Sequence, residues 1–297
     1  MVDVLIALAP VTAAALAIFQ WYAVKQLAVC IISCMAAEAL FTRIRRQPLH
    51  LDDFSAVVTG AILAFSLPGT APWYVGFIAA FVAMGIGKII FGGLGMNIFN
   101  PAMVGRAFVM IAFAGLMGAA GYQDAAGTVD IISQATPLTA FKQSGIGVPI
   151  FALFLGVTNG SLGETSAIAC LAGGIYLCIR RTASWEIPVG VLVASAVVAG
   201  IGYLVSPETM WSPLHHLLGG ALLFGAFFIA TDPVSSPLTA KGKFIFGAGI
   251  GVLVMVLRLF SGYPEGVMFA VLLMNGVTPL INRWTIPTPL GGEAVKG

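Results

Sequence analysis

A hydroxyl and a carboxylate lie close together in a polar stretch near the middle of the chain, which reads Asp130-Ile-Ile-Ser133-Gln-Ala135-Thr136-Pro137. Because Thr136 directly precedes a proline, its backbone is held extended and its side chain is presented. Asp130, upstream, offers a carboxylate for recognition. The pattern predicts a hydroxyl that is available for chemistry, and the structural alternative is a Thr-Pro turn capped by an aspartate.

Two amide side chains, Asn97 and Asn100, come shortly before Pro101 and its apolar run. An amide offers hydrogen-bond donors and acceptors, so this pair could bind a polar ligand. Asn100 could instead cap a helix that opens at Pro101. The two interpretations do not exclude each other.

Three ionisable side chains, Glu38, Arg106 and Asp232, lie within or at the end of strongly apolar stretches. Such groups cannot face lipid cheaply, so each needs a polar partner or a cavity. They are candidates for an ion pathway or a polar membrane site. For Asp232, which follows Thr231, the alternative is the stabilisation of a helix break.

The composition indicates the class of protein that holds these residues in place. Hydrophobic residues make up 59% of the 297 positions, and charged residues make up 9%, against about 25% in soluble domains. So few charges cannot cover the surface of a soluble protein. A soluble enzyme, a nucleic-acid-binding protein, a secreted disulfide scaffold and a disordered hub are therefore excluded. The four cysteines lie in apolar runs and predict packing rather than a metal site.

Breaks rich in charge, proline and glycine divide the chain into about ten candidate spans of the length that a membrane requires. The stretch 147–158 is apolar but too short to span, which predicts a re-entrant or interfacial segment. Continuous apolar runs favour an all-α bundle over a membrane barrel. The predicted spans are 4–22, 26–42, 54–68, 72–91, 101–119, 164–180, 186–205, 213–231, 244–260 and 264–282.

The basic residues set the predicted orientation, because cytoplasmic loops carry an excess of lysine and arginine. If the spans alternate strictly, both termini are cytoplasmic and the loop 120–146 is external. Lys25, Lys142 and Arg258 fall on the external side. The residues on the cytoplasmic side are Arg43, Arg45, Arg46, Lys88, Arg180, Arg181, Lys241, Lys243 and Arg283.

Two stretches follow the same order of a small-residue helix, a proline break, a helix that ends in a cation and glycine, and an X-Pro opening. They lie in spans three to five and eight to ten. Five spans in each half predict two repeats of inverted topology, although chance similarity of glycine-rich helices is the alternative. We therefore predict a single membrane domain over 1–297, with a first half 1–119, the external loop 120–146 and a second half 147–297.

The stretch from Asp130 to Thr136 resembles the signature at which a flavin transferase esterifies FMN through its phosphate to a threonine. In membrane proteins this signature is typical of the family that comprises the Nqr B and Rnf D subunits. Three further stretches resemble the same family: 91–108 (FGGLGMNIFNPAMVGRAF), 228–236 (FIATDPVSS) and 262–271 (GYPEGVMFAV). The first span begins almost at Met1, which favours an Rnf D subunit over the longer Nqr B subunit.

The resemblance implies covalent FMN on Thr136, with Asp130, Ser133 and Ala135 completing the signature. It also implies a possible non-covalent riboflavin at Asn97 and Asn100. The family's transferase works outside the cytoplasmic membrane, which agrees with the external loop that the basic residues predict independently.

The implied function is that of a redox subunit of the Rnf complex, which couples electron flow between ferredoxin and NAD to Na⁺ or H⁺ translocation in a bacterial or archaeal cytoplasmic membrane. The expected partners are the Rnf A, B, C, E and G subunits, a flavin transferase and lipid, without nucleic acid. Alternatives are an Nqr B-like subunit of a Na⁺-translocating NADH:quinone oxidoreductase, or a flavin-free channel or transporter of inverted-repeat type.

Overall fold

The structure is a computed structural model that describes residues 1–47, 52–117, 138, 149–156, 160–164, 166–205, 211–261 and 266–287. Over these residues the regular secondary structure is helical, apart from an isolated bridge between Pro68 and Ser161. The helices are α1 (Val2–Phe19), α2 (Trp21–Ile44), α3 (Ser55–Ser66), α4 (Trp73–Val82, continued by a π-helical turn Ala83–Ile89), α5 (Pro101–Ala112), α6 (Ala114–Met117), α7 (Ile150–Leu155), α8 (Ala167–Ile179), α9 (Glu186–Val205), α10 (Pro213–Leu218), α11 (Leu222–Phe224, continued by a π-helical turn Gly225–Ile229), α12 (Ala240–Phe260) and α13 (Val267–Thr285).

Five of these helices, α1, α2, α9, α12 and α13, are long and apolar enough to cross a membrane. Shorter apolar helices are α3, α5, α8 and the continuous run from Trp73 to Ile89. Helices therefore occupy the positions of the predicted spans, and α9 has the predicted bounds 186–205. The apolar stretch 147–158 contains only the short helix α7 among its described residues.

The predicted span 213–231 is not one continuous helix. It divides into α10 and α11 at Gly219 and Gly220, and Gly220 adopts a positive φ of 70°. Glycine populates this region without steric cost, so the pair interrupts the helix. Arg258 near the end of α12 donates to the carbonyl oxygens of His216 and Gly219 at 2.5 and 2.9 Å. These bonds satisfy carbonyls that the interruption deprives of intrahelical partners.

The two halves of the chain pack through similar pairs of helices. In the first half α2 packs against α3 and α4, and α4 packs against α5. In the second half α9 packs against α10 and α12, and α12 packs against α13. The halves meet where α1 contacts α8 and where α5 contacts α13.

A further connection between the halves runs through backbone hydrogen bonds at the end of α3. The Leu162 N–H donates to the Leu67 carbonyl at 3.3 Å, and the Gly163 N–H donates to the Phe65 carbonyl at 2.8 Å. The Phe65 ring also contacts Phe224 of α11 edge-to-face, with centroids 5.8 Å apart. The segment that follows α3 is thus held by residues from the second half.

Candidate functional site

The predicted flavinylation residues Asp130, Ser133, Ala135 and Thr136 lie outside the described residues. Their signature therefore remains a prediction. The other candidate residues, Glu38, Asn97, Asn100, Arg106 and Asp232, are all described.

Asn97, Asn100 and Asp232 line one cavity of about 200 Å³, together with Lys88 and Ser55. Ser55, the stretch 88–100 and Asp232 are far apart in the sequence, and the fold brings them together at the ends of α3, α4, α5 and α11. Most of the remaining wall is apolar and includes Val58, Ile62, Leu94, Ala102, Leu177 and Phe228. A largely apolar cavity with a few convergent polar groups is the usual form of a small-molecule site.

Asn100 caps α5, as its position before Pro101 predicts. Its Oδ1 accepts a hydrogen bond from the Met103 N–H at 3.3 Å. Its Nδ2 donates to the Ile229 carbonyl at 3.3 Å, and its backbone N–H donates to Asn275 Oδ1 at 3.1 Å. The Asn100 side chain is therefore largely committed to holding the fold around the cavity.

Asn97 has a different environment at the same cavity. Its Nδ2 donates to the Phe99 carbonyl at 3.1 Å. A side-chain amide carries a second N–H and an acceptor oxygen, so Asn97 retains capacity for a ligand. Of the two asparagines, Asn97 is the better candidate for direct contact with a bound molecule.

Asn275 of α13 bonds to the cavity residue Asn100 and is a buried polar residue that the sequence motifs do not single out. Besides accepting from Asn100, it donates through Nδ2 to the Ser235 carbonyl at 3.1 Å. The Thr278 hydroxyl donates to the same carbonyl, also at 3.1 Å. An asparagine within an apolar span is a signal of a buried polar contact, and here it connects α5 to the segment after α11.

Glu38 forms a buried ion pair with Lys88, whose ammonium also donates to Ser55 Oγ at 2.6 Å. The sequence places Lys88 at a cytoplasmic helix end as a topology signal, yet the residue is only 2% exposed. A buried charge needs such a partner, because desolvation is costly. Glu38 itself lies behind Lys88 and does not line the cavity among the described residues.

Asp232 stabilises the turn after α11 and also faces the cavity. Its carboxylate accepts from the Val234 N–H at 3.2 Å and from Ser235 Oγ at 3.0 Å. These bonds agree with the interpretation of Asp232 as a stabiliser of the helix break. Asp232 is also part of the cavity wall.

Arg106 of α5 has a buried acidic partner, Glu164, with Nη2 and Oε1 3.7 Å apart. The requirement for a polar partner within the span is therefore met. Glu164 Oε2 also accepts from the Ser161 N–H at 3.4 Å. Arg106 is not among the described residues that line the cavity, so the structure does not unite all the ion-pathway candidates in one site.

A family match covers almost the whole chain, over residues 1–291. The chain belongs to the NQR2, RnfD, RnfE family. This membership covers both halves and all the candidate residues described above.

Members of the family that resemble this chain are named as subunits of ion-translocating oxidoreductases. The D subunit of the Na⁺-translocating ferredoxin:NAD⁺ oxidoreductase complex of Acetobacterium woodii is 42% identical, over 100% of this chain and 91% of the relative. The D subunit of the ion-translocating oxidoreductase complex of Cronobacter sakazakii is 40% identical, over 92% and 90%. The protein of the same name from Halorhodospira halophila is 40% identical, over 97% and 90%.

Proposed function

We propose that this chain is the D-type membrane subunit of an Rnf ion-translocating oxidoreductase complex. In this role it relays electrons between ferredoxin and NAD, coupled to translocation of Na⁺ or H⁺. The observation that carries the proposal is the similarity, along nearly the full length, to relatives named as D subunits of such complexes. A flavin-bearing membrane subunit cannot complete the reaction alone, so the Rnf A, B, C, E and G subunits are the proposed partners.

We propose that Thr136 carries FMN through an ester between the threonine oxygen and the flavin phosphate. Asp130, Ser133 and Ala135 complete the signature that a flavin transferase recognises. When bound, the flavin supplies the redox chemistry, while the protein supplies its position and limits its contact with water. A covalent bond also prevents loss of the cofactor to the external medium.

Intact-mass measurement combined with in-gel ultraviolet fluorescence tests this assignment on protein that is co-expressed with a flavin transferase. Wild type is expected to gain the mass of one FMN less one water and to fluoresce, and Thr136→Ala to do neither. Thr139→Ala is the matched control, because it removes another hydroxyl from the same loop. Unmodified wild type, with a transferase that labels a reference substrate, would refute the assignment and favour a flavin-free channel or transporter.

We further propose that the cavity beside Asn97 binds a non-covalent riboflavin. The uracil-like edge of a flavin needs both donors and acceptors, which the Asn97 amide retains. The apolar wall suits the flat ring. Lys88 and Asp232 would adjoin the bound ring, and Asn100 would hold the cavity in shape.

Flavin released by denaturing the purified complex separates this second site from the covalent one, since ester-bound FMN stays with the chain. Asn97→Leu is expected to lose the released riboflavin while keeping the fluorescence of the protein band. Asn282→Leu is a control from α13, because Asn282 bonds to the exposed Leu238 N–H away from the cavity. Undiminished riboflavin in Asn97→Leu would exclude this site.

For ion translocation we propose Asp232 and Glu38 as polar groups of the pathway, with Arg106 as a more distant candidate. Asp232 is supported by its place in the cavity wall. Glu38 is supported by its ion pair with Lys88, which lines the cavity. In reconstituted complex, Asp232→Asn is expected to weaken cation-dependent coupling while ferredoxin-to-NAD electron flow persists. Coupling equal to wild type would remove Asp232 from the pathway.

We propose a topology of about ten spans in two inverted repeats, with both termini in the cytoplasm and the loop 120–146 outside. The similar packing of α2, α4 and α5 in one half and of α9, α12 and α13 in the other supports the repeat. In such folds polar sites lie at broken helices. The interruption between α10 and α11 and the short helix α3 are the broken elements here.

A further inference from the structure

An apolar groove of about 380 Å³ lies between the end of α2 and the π-helical turn of α4, away from the cavity described above. Two of its isoleucines, Ile44 and Ile90, are 66% and 67% exposed. The apolar side chains that line the groove are Phe41, Ile44, Phe81, Val82, Ile86 and Ile90, with further wall from Gly85 and Ile89.

The π-helical turn supplies Gly85, Ile86 and Ile89 to the wall of the groove. Such turns are rare insertions in α-helices and occur frequently at functional sites. Near its start, a Cβ on Gly85 would lie 2.9 Å from the Phe41 ring, so the two helices are in close contact at the floor of the groove. In the same turn, Lys88 pairs with Glu38 of α2. The ion pair is therefore a second contact that fixes the spacing of the two helices beside the groove.

A cation lies at one end of this apolar groove. Arg45, the residue that follows α2, lines the groove and donates through Nη1 to the Ile89 carbonyl. A guanidinium carries five N–H donors, so this bond anchors the group and leaves donors for a second partner. Arg43 and Arg46 flank it and are exposed. The groove is therefore apolar along its length and positively charged at one end.

We propose that this groove binds an anionic phospholipid, with one acyl chain along the apolar wall and the phosphate at Arg45. Charge complementarity selects this occupant. An uncharged apolar partner would offer no negative charge to the Arg45 guanidinium, whereas basic pockets between membrane helices bind anionic headgroups. A guanidinium also matches phosphate geometry better than a lysine does. The site is independent of the proposed flavin positions.

Native mass spectrometry of the full chain in detergent, after delipidation, tests the site with an equimolar mixture of palmitoyl-oleoyl phosphatidylglycerol and phosphatidylcholine. Wild type is expected to retain phosphatidylglycerol preferentially. Arg45→Gln should reduce this preference about five-fold, the effect expected of one basic residue at an anionic surface. Ile86→Trp, which fills the groove and keeps the charge, should reduce the retained phosphatidylglycerol as well.

Arg181→Gln is the matched control, because it removes an exposed arginine from another helix end and leaves the groove intact. An equal loss in Arg45→Gln and Arg181→Gln would overturn the proposal in favour of general surface attraction. Equal retention of the two lipids by wild type would overturn the proposal, because the groove would then have no preference for an anionic headgroup. Absence of retained phosphatidylglycerol from wild type in the same measurement would also overturn the proposal.

Discussion

At the scale of single residues, the buried cations Lys88 and Arg258 illustrate two ways to hold charge in an apolar interior. Lys88 is paired with a carboxylate, Glu38, and a hydroxyl. Arg258 is held by two backbone carbonyls at the break between α10 and α11. Both residues lie near the end of a helix. Lys88 holds α2 and α3 there, and Arg258 holds the break between α10 and α11.

Removal of Lys88 alone should be strongly destabilising. Lys88→Met leaves the Glu38 carboxylate buried without its cation, which costs about 3–5 kcal/mol in comparable pairs. The double variant Lys88→Met/Glu38→Leu should recover most of this loss, because no buried charge remains. Thermal unfolding in detergent measures both variants.

The exposed pair between Arg180 and Asp3 gives the matched comparison, with the Arg180 side chain 58% exposed. Because solvent screens such pairs, Arg180→Met should cost no more than about 1 kcal/mol. A Lys88→Met variant as stable as Arg180→Met would contradict the assigned role of the buried pair.

Local sequence signals predicted some of these contacts and not others. The Asn100-Pro101 dipeptide predicts the cap of α5, because cap and helix are adjacent in the chain. A charge inside a span predicts that Arg106 needs a polar partner. Neither signal identifies Glu164 or Asn275 as the partner, because those contacts join distant parts of the chain and depend on how the helices pack.

At the scale of helices, the pair α9 and α12 packs through small residues that allow the backbones to approach. A Cβ on Gly251 would lie 2.5 Å from the Val191 carbonyl oxygen, and one on Gly190 would lie 2.8 Å from the Phe244 carbonyl oxygen. Small residues at helix interfaces favour association within membranes, where van der Waals packing replaces the hydrophobic effect.

Gly251→Ala should therefore be destabilising, by about 1–3 kcal/mol for overpacking, despite the higher helix propensity of alanine. Gly200→Ala is the control within the partner helix, since a Cβ there meets no atom within 4 Å. It should be neutral or stabilising by up to about 1 kcal/mol. Thermal unfolding in detergent compares the two, and similar midpoints would refute close packing at Gly251.

Helix positions were predictable because apolar runs and their breaks are local properties of the sequence. The interruption at Gly219 and Gly220 was not predicted, although consecutive glycines are a recognised turn signal. The apolar residues on both sides of the glycine pair concealed it. The π-helical turns were not predicted either, because both lie in nearly continuous apolar runs, which have no polar stripe to reveal the shift that an added residue causes.

At the scale of the whole molecule, the proposed orientation places Thr136 and the cavity at opposite faces of the membrane. Labelling with a membrane-impermeant maleimide should modify Gln134→Cys in intact cells, whereas Lys241→Cys should react only in inverted vesicles. Cys178 should first be replaced by serine, since it is only partly buried, whereas the other three cysteines are buried. Labelling of both positions from one side would contradict the topology.

The hydrogen bonds of Asn275 hold polar groups near the cavity in fixed orientations, which affects any bound molecule whose charge changes. This one side chain ties α5 to the turn after α11, and Asp232 holds that same turn by two further bonds. Dipoles that are fixed in advance need not rotate when charge develops beside them. Under the proposed binding of a flavin here, an electron that reached the cavity would meet polar groups that are already oriented, and its transfer would require little rearrangement of the protein.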